Sequence, residues 1–199
     1  MTEPGKKRVL LNSYKNNWYQ PGSLFKRTLW LIVNVVFFNH GLAVFNGIKI
    51  GLLRLFGARI GKGVLIKPSV SIKYPWFLIV GDHCWIGEKV WIDNLAQVTI
   101  GNHVCLSQGV LLLTGNHDYT SVSFDLIVRP IVIGDGVWVG AKAIVAPGTT
   151  ILEHTVVTAG SVAVNELESY SIYRGNPAQK IKSREIGLKP TIEFKASSQ

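Results

Sequence analysis

The chain has 199 residues, with 21 Lys and Arg against 12 Asp and Glu, for a formal net charge of +9. A charged fraction of 17% beside 47% hydrophobic residues excludes a largely disordered chain, and the length suffices for one sizeable core. Two Cys cannot make a disulfide scaffold, and the positive excess points to an anionic partner.

The charge divides the chain into three pieces. Residues 1–59 hold nine basic residues and one acid, residues 60–164 hold six and seven, and residues 165–199 hold six and four. Residues 1–22 are polar, with Pro4, Gly5, Pro21 and Gly22, and read as a flexible lead. Residues 23–56 read as helical, with Ser23 as N-cap. The apolar run 29–38 is broken only by Asn34. It is too short to span a bilayer, and Asn39, His40 and Gly41 end it. The run also starts too late, and lacks the small-residue cleavage site, for a signal peptide. These helices are expected to cap the open end of the repeat beyond them. Lys26, Arg27, Lys49 and Arg54 beside apolar faces also suggest peripheral membrane contact.

From Ile60 an aliphatic residue recurs every six residues, often followed by Gly. The sets begin at Ile60, Val80, Ile100, Ile133 and Ile151. Four residues after most of these positions comes a small or β-branched residue, such as Val64, Val70, Val104, Ala143 or Thr155; Trp76, Cys84 and Asn116 are misfits. A period of six is incompatible with an amphipathic helix and reads as a short strand plus a turn. Three units make one triangular coil, and five coils stack at the spacing of paired strands. The spacing of twenty between the first sets implies a two-residue bulge at one corner. The fold expected is mainly β, with a helical arm before the prism and a short helix after it.

The rhythm breaks after His117 and resumes at Ile133, leaving an excursion over 118–132. It contains Tyr119, Phe124, Leu126, Ile127, Arg129 and Pro130, too apolar for a free linker, and is expected to pack on a neighbouring subunit. An imidazole where the prism wall meets the loop can accept a proton near neutral pH. Asp118 or a backbone carbonyl could fix its tautomer; a histidine that merely caps the loop is the plainer alternative.

This pattern resembles the hexapeptide-repeat proteins, which fold as left-handed parallel β-helices and are mostly trimeric acyltransferases. Within them, Leu53-Arg54-Leu55-Phe56-Gly57-Ala58, Tyr74-Pro75-Trp76, Ser107-Gln108, Gly115-Asn116-His117-Asp118-Tyr119 and Arg174-Gly175-Asn176-Pro177-Ala178 resemble the acetyltransferases of colanic-acid and other exopolysaccharide clusters. The resemblance implies acetyl-CoA as donor, a sugar or glycan hydroxyl as acceptor, a homotrimer, and His117, with Asp118 beside it, as the catalytic site. It implies that Trp138 flanks the pantetheine arm and that the backbone at Ala141 and Ala159 bonds it. Asn176 and Pro177, with Lys180 and Lys182, would lie near the nucleotide, where cations suit phosphates. It also implies a cytoplasmic location, at the inner membrane face where lipid-linked glycans are made.

Two other readings compete. His83 and His103 occupy equivalent places in consecutive coils and should stack outward. The γ-type carbonic anhydrases share this prism and bind zinc through three histidines, of which His117 could be the third. Gly-Asp-His and Gly-Asn-His are equally ordinary turn chemistry, and no metal is expected. A non-enzymatic trimeric scaffold is the other alternative. Cys84 and Cys105, inside the repeats, read as small buried hydrophobes rather than nucleophiles. The prism is near neutral and carries no nucleic-acid-binding motif.

Overall fold

The computed structural model describes residues 7–39 and 45–187. Pro4 and Gly5 of the expected lead, and His40 and Gly41 of the expected interruption, lie outside them.

The six-residue units form two- and three-residue strands joined by tight turns. The first coil is β1 (Arg59–Ile60), β2 (Leu65–Ile66) and β3 (Ser71–Ile72). The second is β4 (Leu78–Val80), β5 (Trp85–Ile86) and β6 (Trp91–Asp93), and the third β7 (Val98–Ile100), β8 (Cys105–Leu106) and β9 (Leu111–Leu113). The excursion carries β10 (Gly115–His117) and β11 (Leu126–Val128). The fourth coil is β12 (Ile131–Ile133), β13 (Trp138–Val139) and β14 (Ile144–Val145), and the fifth β15 (Thr150–Ile151), β16 (Val156–Val157) and β17 (Val162–Ala163). A partial sixth comes next, β18 (Glu166–Leu167) and β19 (Ser171–Gly175), and then β20 (Ala178–Ser183).

Every third strand stacks in parallel. One face is β1-β4-β7-β12-β15-β18, the second β2-β5-β8-β13-β16-β19, and the third β3-β6-β9-β14-β17. The fifteen inward aliphatic positions from Ile60 to Ala163 are all buried, and each sits over its equivalent, as in Ile60↔Val80↔Ile100↔Ile133↔Ile151. Small corner residues let the turns close. Where they are hydroxylic, the hydroxyl is satisfied internally: Thr149 donates to the Ala163 carbonyl and Thr155 to that of Glu168. The extra residues of the early coils fall between the third and first faces. The long excursion leaves from that corner too.

Two helices close the starting end. Helix α1 (Leu24–Phe37) begins at Ser23, whose hydroxyl accepts the Lys26 amide as an N-cap should. Helix α2 (Asn46–Leu55) is the second. Their polar side chains complete the otherwise unpaired edges of the first coil. Trp30 Nε1 donates to the Ile72 carbonyl and Asn34 Oδ1 accepts the Ile72 amide at β3. Asn46 bonds both Val64 O and Ile66 N at β2, and Lys49 Nζ reaches Lys67 O. Arg54 bonds the carbonyls of Ile60 and Gly61 at β1. Burial pulls the Lys49 ammonium below its ordinary pKa. The two helices thus set edge-capping hydrogen bonds over an apolar seal of Trp30, Phe38, Leu53 and Phe56. Among the described residues no helix is long and apolar enough to cross a membrane.

Three expectations need correction. Among the described residues the short C-terminal helix does not form. The chain reverses at Asn176-Pro177, and β20, with Lys180 and Lys182, pairs antiparallel on β19. Pro followed by Ala-Gln-Lys also suits a helix start, but the open edge of the second face offers a ladder of backbone partners, and an exposed edge strand rich in Lys is how proteins protect such an edge. The parallel stack also runs one partial coil further than five. Nor is the lead free over its described part. Leu10 N donates to Val122 O, Tyr19 Oη to Leu95 O, and the Pro21 carbonyl accepts from Trp76 Nε1. These bonds lay the lead back along the prism toward the excursion.

Candidate active site

The excursion is a β-hairpin. Gly115, Asn116 and His117 of β10 pair with Val128, Ile127 and Leu126 of β11. Its base is fixed by Arg129 N bonding Thr114 O and by Gly115 lying against Leu95, where a Cβ would collide with the Leu95 side chain. The tip is closed by the Asp118 amide on Asp125 O.

His117 ends β10, half buried. Its Nδ1 lies 2.9 Å from the carbonyl oxygen of Phe124. A carbonyl can only accept, so Nδ1 carries the proton and Nε2 presents a lone pair. The same residue stacks its ring on the imidazole, centroids 4.4 Å apart and planes within 8°. Phe124 adopts left-handed backbone with φ 54°, a costly conformation for a bulky residue. Tyr14, from the lead, also lies beside the ring, centroids 5.7 Å apart and planes tilted by 57°. The imidazole is therefore held by a backbone acceptor and two aromatic rings, and among the described residues Nε2 has no hydrogen-bond partner.

Asp118 does not touch it. Its carboxylate accepts from the Thr120 hydroxyl at 2.6 Å and the Thr120 amide at 2.9 Å, and these bonds hold its pKa below the usual carboxylate value. Of the two tautomer-fixing groups anticipated, the geometry supplies the carbonyl. No sequence signal marks Phe124 or Tyr14 for this role, because one acts partly through its backbone and the other comes from a polar stretch about a hundred residues away.

The other candidates lie elsewhere on the prism. Trp138 stands half exposed on the second face, its Nε1 donating to Ser107 Oγ at 2.9 Å. Ala141 and Ala159 occupy equivalent turns between the second and third faces. Among the described residues neither amide has a backbone partner, although Ala141 O accepts from Gly160 N. Asn176 and Pro177 form the exposed turn between β19 and β20. Lys182 is in register with Trp138 through Val156 and Ile172, three strands or roughly 14 Å along the same face. Lys180 pairs with Glu168 at 2.7 Å, which raises its pKa. The chain does not itself bring His117 together with the Trp138 group: one is at the third-to-first corner, the other on the second face.

His83 and His103 do stack, rings 5.2 Å apart and planes within 14°. Both have left-handed backbone at the first-to-second corner, a different corner from that of His117. The turn chemistry there is a ladder: Asp82 accepts the Lys62 amide, Asn102 the Asp82 amide, and Asp135 the Asn102 amide. Among the described residues no group of three or more His, Cys, Asp and Glu could hold a metal. Burial raises the pKa of both thiols, Cys84 and Cys105, which keeps them protonated.

The chain belongs to the hexapeptide-repeat acetyltransferases. Over 166 residues it is 43% identical to an Escherichia coli K12 protein named "Putative colanic acid biosynthesis acetyltransferase WcaF", a match covering 83% of this chain and 91% of that one. It is 26% identical over 148 residues to galactoside O-acetyltransferase of the same organism, covering 73% of each. The crystal structure of the hexapeptide-repeat-containing acetyltransferase VCA0836 from Vibrio cholerae aligns with a TM-score of 0.73 at 25% identity, over 81% of this chain and 92% of that one. That protein has also been solved with acetyl coenzyme A, at TM-score 0.72 and 24% identity over 81% and 88%. No protein-family model matches the chain.

Proposed function

We propose that the protein transfers an acetyl group from acetyl-CoA to a hydroxyl of a sugar or glycan precursor in exopolysaccharide biosynthesis, in the cytoplasm and as a homotrimer. The observation that carries the reading is the His117 Nδ1 bond to Phe124 O, because it leaves Nε2 as a base at the excursion of an acetyltransferase prism. The relatives' names, acetyltransferases of colanic acid and of galactosides, support the acceptor class.

In this mechanism donor and acceptor bind together. His117 Nε2 takes the proton of the acceptor hydroxyl as its oxygen attacks the thioester carbonyl. The C–O bond forms, a backbone N–H in the groove stabilises the tetrahedral oxyanion, and the C–S bond breaks. The departing thiolate takes the proton from the imidazolium. Trp138 and the amides of Ala141 and Ala159 would hold the pantetheine arm, with Asn176, Pro177 and Lys182 toward the nucleotide. The separation of His117 from Trp138 within one chain favours a site shared between neighbouring prisms.

The test is acetyl transfer by the wild type and His117→Ala, assayed with acetyl-CoA and a panel of glycan acceptors by mass spectrometry. Loss of turnover by about a thousandfold or more, with unchanged melting, is expected. A rate near wild type overturns the base assignment, and failure of the wild type to bind acetyl-CoA in calorimetry overturns the enzymatic reading.

A further inference from the structure

Helix α1 is apolar on the wrong side for a helix that merely caps a prism. Trp30 and Asn34 anchor its inner face. Phe25, Ile32 and Val35 lie roughly 140–160° round the helix from Trp30 and are 78%, 56% and 53% exposed. Leu24 and Leu31 flank them, also exposed. Thr28 also lies on this arc, and an outward face otherwise made of large apolar side chains is the kind an interfacial helix lays into lipid. The surface continues across Leu29 and Leu55 into an apolar groove of about 510 Å³ between α1 and α2, lined also by Lys26, Val33, Leu52 and Phe56.

Charge is polarised toward the same end. After Glu3 there is no acid until Asp82. Residues 23–81, from the start of α1 into the second coil, hold eight basic residues and no acid, a net of +8, while residues 82–199 hold nine and eleven, a net of −2. In the first coil, directly behind the cap, Arg59, Lys62 and Lys67 are exposed. An apolar platform with a basic rim and an acid-free surround complements a bilayer surface that offers hydrocarbon below and anionic headgroups beside it.

We infer that the outer face of α1, with the α1–α2 groove and the basic rim of the first coil, docks the protein on an anionic lipid surface, the prism standing away from the membrane on its cap. A second copy docked cap to cap is a poorer occupant, because it would bring two positively charged ends face to face, unlike the side-by-side homotrimer proposed above.

Flotation of the full-length protein with vesicles of phosphatidylcholine alone, and of phosphatidylcholine mixed with phosphatidylglycerol, tests this. Binding to the mixed vesicles, weak binding to the neutral ones, and a fall as salt is raised are expected. The double variant Phe25→Asp/Ile32→Asp should lose at least about tenfold in partitioning, with melting and light-scattering mass unchanged. Arg59→Gln and Lys67→Gln, which leave the apolar face intact, should each lose roughly fivefold. No flotation with the mixed vesicles, wild-type partitioning by the double variant, or a smaller assembly in that variant would each overturn the proposal, the last by showing that another copy covers this face.

Discussion

His117 and Asp118 are sequence neighbours with different engagements. The imidazole is oriented by Phe124, while the carboxylate turns to Thr120 and secures the start of the hairpin tip. The same distinction between reacting and securing groups holds for Asp135. It accepts the Asn102 amide at 2.7 Å and the Asn102 side-chain N–H at 3.1 Å, and these bonds depress its pKa. A carboxylate more acidic in the folded than in the unfolded state binds fewer protons when folded. It therefore adds stability above its unfolded pKa of about 4, and that stability is lost as pH falls through the lower folded value. Melting temperatures of the wild type and Asp135→Asn, followed from neutral pH into acid, should differ most at neutrality and converge below about pH 4. A constant difference would show that the carboxylate's charge contributes nothing. Because Asp135 is solvent-exposed, the effect should be small.

At the scale of elements, each strand pair is weak alone, and the first coil depends on the cap. Asn46 serves two backbone groups of β2, the Val64 carbonyl at 2.7 Å and the Ile66 amide at 2.8 Å. Asn46→Ala leaves both partly buried groups unpaired, and a loss of about 1–3 kcal/mol is expected. Chemical denaturation should register it, and acetyl-CoA binding by the folded fraction should stay unchanged; wild-type stability would mean that water replaces Asn46 at no cost. This dependence also explains why some elements were legible in the sequence and others were not. The strands were legible because an inward position under a stacked coil admits only an aliphatic residue, so the pattern repeats from Ile60 to Ala163. The position of His117 was legible because the excursion interrupts that repeat. Asn34 looked like a break in an apolar run and Asn46 drew no notice, since their partners lie on the first coil 18 or more residues away. The β19–β20 hairpin was hidden for the same reason: its ladder is supplied by another strand, and local preference alone favoured a helix.

The whole molecule is a stack with two unlike ends. At the far end β20 folds back over β19, and Arg184 ties the strand's exit to the carbonyls of Gly136 and His154. At the near end the helices bond seven backbone groups of the first coil: the carbonyls of Ile60, Gly61, Val64, Lys67 and Ile72 and the amides of Ile66 and Ile72. A chain beginning at residue 58 would lose all seven partners together with the seal of Trp30, Leu53 and Phe56. Its coils are laterally complete, so they have reason to stay folded, but β1, β2 and β3 would present three open parallel edges around an exposed apolar triangle. Such edges pair with other edges. The shortened chain should therefore associate end to end, its light-scattering mass rising with concentration while far-ultraviolet circular dichroism keeps its β character. A monodisperse short chain would show that the first coil closes without the helices, and would leave the outward apolar face of α1 as the arm's principal reason to exist.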